Sequence, residues 1–68
     1  MNVSKILIGK RIEKSLTQEQ VAEKANITRA FYTMIENEQK KPSPIVAQRL
    51  ANVLGFDWTI FLQSNVTK

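Results

Sequence analysis

Two short helical stretches with almost nothing between them constrain this chain more than any other feature. Thr17 can cap the first with its hydroxyl, and Gln20 stands three positions later, the spacing of a capping box. Val21, Ala22 and Ala25 then line an inner face, and Asn26, which tolerates the left-handed conformation, ends the stretch. Thr28 is a good cap for the next helix. Only a turn of about three or four residues is left between the two, and helices joined that tightly pack at a steep angle. They need a small residue at the approach, which Ala22 supplies, and Ile27 is placed to plug the core beside the turn. The second helix of the pair is thereby propped outward.

The remaining signals are also helical. Val3, Leu7 and Lys10/Arg11 step at three and four along a first helix from Val3 to about Lys14, with Ile8 and Ile12 as a second apolar pair. Tyr32 and Ile35 give the helix behind Thr28 a buried stripe, and it should end near Asn37. A polar loop, Glu38 to Pro42, follows. Ser43 as cap and Pro44 at the first helical position open a fourth helix. Ala47, Leu50, Ala51 and Leu54 face inward along it, and Gly55 stops it. Asp57 is expected to cap a final short helix carrying Trp58 and Phe61 inward. With two glycines, two prolines and no β alternation, the fold class is all-α. The 68 residues make one domain, with an ordered core over about 3–62 and a frayed tail over 63–68.

Composition excludes several chemistries. There is no cysteine and no histidine, so disulfides, Cys/His zinc sites, thiolate nucleophiles and imidazole bases are absent. No Gly-rich phosphate loop or paired carboxylates stand out, and Glu19 and Glu23, which share a helix face, read as solvated. An enzyme is therefore disfavoured, and no metal, cofactor or small-molecule ligand is expected. Ten Lys and Arg oppose six Asp and Glu, for a net charge of +4. The excess lies before residue 50, while 50–68 hold only Asp57 and Lys68 beside Phe56, Trp58, Ile60, Phe61 and Leu62. The split suggests polyanion contact by one part and packing or self-association by the other. No apolar run approaches the roughly 20 residues that span a bilayer, and Met1 to Gly9 is too short for a signal peptide, so a cytoplasmic protein without membrane contact is expected.

Thr17-Gln18-Glu19-Gln20-Val21-Ala22, Ile27-Thr28-Arg29, Ile35-Glu36-Asn37, Pro42-Ser43 and Leu54-Gly55 together resemble the phage-repressor and Cro-type helix-turn-helix family, also called the XRE or lambda-repressor-like family. Each piece is weak alone; in this order and spacing, over about residues 3–62, they are specific. The resemblance implies a compact five-helix bundle, with the helix-turn-helix formed by helices two and three. It also implies sequence-specific binding of double-stranded DNA, with repression or activation at operators, in a prokaryotic or phage-encoded and nucleoid-associated protein.

Carried over position by position, Gln18 falls where the family holds a backbone phosphate, and an amide beside the free N–H groups of a helix start suits an anion. Arg29, Ala30, Thr33 and Met34 fall where the recognition helix reads base edges. Arg29 can bond guanine O6 and N7 together, although arginines also favour phosphates. Ala30 and Met34 can touch thymine methyls, and Thr33 can serve base or phosphate. Thr28, Asn37, Lys40, Lys41 and Ser43 match the positions that grip the phosphate backbone, with Lys10 a further candidate from helix one. Phe31 is placed either to stack on the duplex or to pack on the protein, the latter favoured. Arg11 and Glu36 look like the family's ion pair between helix one and the end of helix three. Glu38 departs from the family, which usually has glycine there; either Asn37 supplies the left-handed closure or the helix runs further.

Family members commonly dimerise through the last helix, which makes Ile60, Phe61 and Leu62 the candidates for a homodimer contact. The competing reading is a protein-interaction adaptor or antitoxin-like cofactor on the same fold, with weak DNA binding.

Overall fold

The computed structural model describes residues 3–63, with side chains as far as Leu62. Five α-helices fill it and, among the described residues, there is no strand: α1 (Val3–Glu13), α2 (Gln18–Lys24), α3 (Arg29–Glu36), α4 (Pro44–Leu54) and α5 (Ile60–Gln63). None of these helices is long and apolar enough to cross a membrane. α5 reaches Gln63, one residue into the tail expected to fray; residues 64–68, and that expectation with them, lie outside the described residues.

Side-chain oxygens start three of the helices. Thr17 Oγ1 accepts from the Gln20 N–H at 3.1 Å while Gln20 Oε1 accepts from the Thr17 N–H at 2.9 Å, a complete capping box. Thr28 Oγ1 accepts from the Phe31 N–H, and Ser43 Oγ from the Val46 N–H ahead of Pro44. These bonds satisfy donors that a helix start leaves unpaired.

One device closes four helices. Ser15, Asn26, Glu38 and Gly55 take φ of 58°, 61°, 63° and 80°. In the first three the left-handed residue donates its N–H three residues back, to Ile12, Glu23 and Ile35, and its successor donates five back, to Arg11, Ala22 and Met34. After α4, Gly55 and Phe56 both donate to the Ala51 carbonyl. This is the Schellman arrangement, in which the following residue commonly makes an apolar contact. Leu16, Ile27 and Phe56 do so here, each packed against the core.

Asn26 and Gly55 stand where the sequence places them. Neither alternative for the end of α3 holds. Asn37 keeps φ at −88° and the helix stops at Glu36, so the left-handed residue is Glu38 itself. The Schellman bonds of Glu38 and Gln39 offset the cost of that conformation for a residue with a Cβ, about 1–2 kcal/mol. Glu38→Gly should therefore stabilise the domain by about 1 kcal/mol, a rise of about 4–8 °C in melting temperature. A melting temperature that falls or stays put would reject this account.

Leu7, Val21, Ala25, Tyr32, Leu50 and Leu54 are completely buried, with Val3, Ala22, Ile35, Ala47 and Phe61 around them. α2 packs on α3, α1 joins α3, and α4 closes against α1 and α2. Phe31 and Trp58 lie partly buried against this core. The last helix begins later than expected. Asp57 Oδ1 accepts from the backbone N–H and the hydroxyl of Thr59 at 3.0 and 2.8 Å, so it caps a turn and not the first turn of α5. Trp58 lies in that turn, while Phe61 on α5 is buried, its ring 5.8 Å from that of Phe56.

Candidate nucleic-acid interface

The outward side of α3 is built by what its inward side must bury. Tyr32, Ile35 and Glu36 face the core, which leaves Arg29 and Ala30 exposed and Thr33 and Met34 partly exposed, with exposed Asn37 continuing the stripe beyond the helix end. The four residues expected at base edges therefore share one side of the helix. Thr28, at its head, is exposed, but its hydroxyl oxygen is occupied by the cap.

The position of α3 depends on Glu36, whose side chain is 3 % exposed. One carboxylate oxygen, Oε2, accepts from Arg11 Nε at 2.8 Å and from the Tyr32 hydroxyl at 2.7 Å. The other, Oε1, accepts from Gln18 Nε2 at 2.6 Å and from Arg11 Nη2 at 3.4 Å. A carboxylate offers about four acceptor sites, and all are used. The donors come from α1, α2 and α3, so one buried charge ties the three helices together. Arg11 Nη1 adds a bond to the Leu16 carbonyl in the turn between α1 and α2. The expected Arg11–Glu36 pair is thus the centre of a larger network. Tyr32, four residues before Glu36, had a spacing signal for its part. Gln18, eighteen residues away, had none.

The network sets the titration of its members. Burial works against the Glu36 charge, but the bonds from Arg11, Tyr32 and Gln18 outweigh it and hold the carboxyl below its ordinary range. The bond to Glu36 raises Arg11 further above its already high value, against the cost of burial. Burial, and then the bond to Glu36, push the Tyr32 phenol far above its ordinary value. The two limbs of stability follow with opposite signs. Glu36, lowered in the fold, contributes stability above the ordinary glutamate value of about 4.3, lost as pH falls below it. Tyr32, raised in the fold, contributes stability below the ordinary phenol value of about 10, lost as pH climbs past it. Tyr32 is the single tyrosine of the chain, so its absorbance reports alone. In an alkaline titration, tyrosinate absorbance should appear only together with loss of helical circular dichroism. Tyrosinate forming near pH 10 in a still-helical protein would contradict the burial and bonding of Tyr32.

The other sequence candidates surround α3. Gln18, at the start of α2, is partly exposed and borders a cleft with Arg11, Leu16, Thr17, Glu19 and Arg29. Arg29 thus lines the same cleft as Gln18. The Thr33 hydroxyl donates to Gln18 Oε1 at 3.0 Å, so the fold joins a candidate base reader to a candidate phosphate contact. Lys40 and Lys41 are exposed in the loop after α3. Ser43 is exposed but uses its hydroxyl oxygen on α4. Lys10 is partly exposed, 3.8 Å from Glu13 on its own helix.

Residues 7–61 match the helix-turn-helix family. The chain belongs to that family. Among its relatives is the HTH-type transcriptional regulator YqaF of Bacillus subtilis (strain 168), named as uncharacterised. It is 57% identical over 60 residues, which cover 85% of this chain and 79% of the relative. The immunity repressor protein of Bacillus phage phi105 is 38% identical over 55 residues, 81% of this chain but 38% of that repressor. An HTH-type transcriptional regulator of Methanothermobacter thermautotrophicus, also named as uncharacterised, is 42% identical over 45 residues, 66% of this chain and 65% of the relative. No solved structure gives a significant match.

On this helix-turn-helix chain the three residues put forward for self-association are not equivalent. Phe61 is buried in the core and Ile60 packs partly against it, which leaves Leu62, half exposed, as the one that offers much surface. Among the described residues, Ile12 and Ile45 are the other large apolar side chains in solvent.

Proposed function

We propose that the chain is a transcriptional regulator, acting as a repressor, which reads the major groove of an operator with the outward side of α3. The observation that carries the reading is the single stripe of Arg29, Ala30 and Met34 on a helix held through Glu36 to α1 and α2. Arg29 is the base reader with the most to offer, since its guanidinium can bond both acceptors of a guanine. Gln18, Asn37, Lys40 and Lys41 grip backbone phosphates around it, with Lys10 in support; Thr28 and Ser43 give their hydroxyl oxygens to helix caps and can offer a phosphate only the hydroxyl proton. The net charge of +4 favours the same partner. Repression is taken from the name of the phage relative, of which the chain covers 38%. A cytoplasmic setting with access to the nucleoid goes with this reading.

Two copies reading two half-sites would place their α3 helices about 34 Å apart. Leu62 is the exposed apolar residue of α5 available for such a homodimer. Selection of bound duplexes from a random pool at moderate salt tests the whole reading. An enriched inverted repeat with half-site centres one turn apart is expected. Absence of enrichment would overturn it in favour of the adaptor reading, for which exposed Ile12 and Ile45 offer apolar contact surface.

A further inference from the structure

We infer that Thr33 is a positioning residue for the Gln18 phosphate contact and not a reader of bases. The inference rests on the DNA-binding reading and changes its division of labour. Thr33 lies on the outward side of α3, where its family position suggests a base contact. Its one hydroxyl proton is given to Gln18 Oε1 at 3.0 Å. Gln18 in turn gives one Nε2 proton to Glu36 Oε1 at 2.6 Å. The amide is therefore held at both ends, and this fixes which end is which. Turned over, its oxygen would face the Glu36 carboxylate, and two acceptors would meet with no proton between them.

A primary amide has two N–H donors, and Glu36 takes one. The second is what Gln18 has left for a phosphate oxygen, and its direction is set by the two bonds just described. The chain Glu36–Gln18–Thr33 runs from the buried carboxylate, through the start of α2, to the reading face of α3. It makes the phosphate contact and the face of α3 parts of one rigid unit. Docking at Gln18 then adds affinity on any sequence, while Arg29, Ala30 and Met34 do the reading.

Thr33→Val keeps the shape of the side chain and removes the proton. With wild type shown to bind its selected duplex, Thr33→Val should weaken that duplex and an unrelated one alike. The expected loss is about three- to tenfold, the worth of a net hydrogen bond. The sequence selected from a random pool should stay the same. Thr33→Ser should restore binding, which a role in packing alone would not allow. In a Gln18→Ala background, Thr33→Val should have no further effect. A change in the selected sequence with Thr33→Val would overturn the inference, as would a full additive loss on top of Gln18→Ala. Wild-type protein that binds no duplex would remove the DNA-binding reading instead. In that case the side-chain amide signals of Gln18 in the free protein still decide the positioning role: slow exchange in wild type and Thr33→Ser, lost in Thr33→Val, is expected, and equal exchange in all three overturns it.

Discussion

Arg11→Ala should lower the melting temperature by more than about 10 °C and leave the protein close to its unfolding midpoint at room temperature. The substitution removes two of the four donors to Glu36 and the bond to the Leu16 carbonyl, and strands a carboxylate that is 3 % exposed. Breaking a buried pair from one side costs about 3–5 kcal/mol. Arg11 itself is 18 % exposed, so a figure of about 3 kcal/mol is appropriate. A core of this size rarely supplies more than about 3–5 kcal/mol in total, so a remainder of about 0–2 kcal/mol is left. Circular dichroism melting reads the result directly, and an unchanged melting curve would refute the role given to the network. Replacing the whole group with apolar residues, Arg11→Met with Tyr32→Phe and Glu36→Leu, should recover much of the stability, because no buried charge remains unpaired. Gln18, which borders the surface cleft, can then turn to water.

Arg29→Ala should leave stability nearly untouched and change what the protein binds. Arg29 is exposed and takes no part in the Glu36 network. If it spans guanine O6 and N7, its loss removes about 1–3 kcal/mol of discrimination, roughly 5- to 150-fold, at one base pair of the half-site. Selection with the variant should return a site with that position relaxed. Arg29→Lys should not restore it, since an ammonium lacks the planar fork. A uniform loss on all duplexes, with the preferred sequence intact, would instead make Arg29 a phosphate clamp at the cleft it shares with Gln18.

Local chemistry made most of the architecture legible. Thr17 with Gln20, Thr28, Ser43 with Pro44, and Gly55 each mark a helix boundary through bonds made within a few residues, and the fold uses every one. Ser15 and Glu38 escaped because nothing in either residue type announces a left-handed backbone. Schellman bonds impose it, and after Ser15 the packing of Leu16 adds to them. Asp57 misled by being a good helix cap that bonds two residues ahead, which delays α5. In the site, the spacing of Tyr32 and Ile35 gave the inward side of α3 and so its outward side. The Arg11–Glu36 pair came from family resemblance. That Gln18 and Thr33 share a bond depends on how α2 crosses α3, a tertiary relation that no residue spacing along the chain expresses.

Within the eight residues of α3, the labour is divided by side of the helix. Tyr32, Ile35 and Glu36 hold the helix in place, whereas Arg29, Ala30 and Met34 take no part in the buried network. On the proposed reading, mutations at the second set would explore new operators with little risk to folding, while Tyr32 and Glu36 can change only in concert with Arg11. On that reading a lineage built on this scaffold would diverge rapidly in the sites it recognises while its skeleton stays fixed, and grafting those three side chains between relatives would be the natural route to reprogramming it.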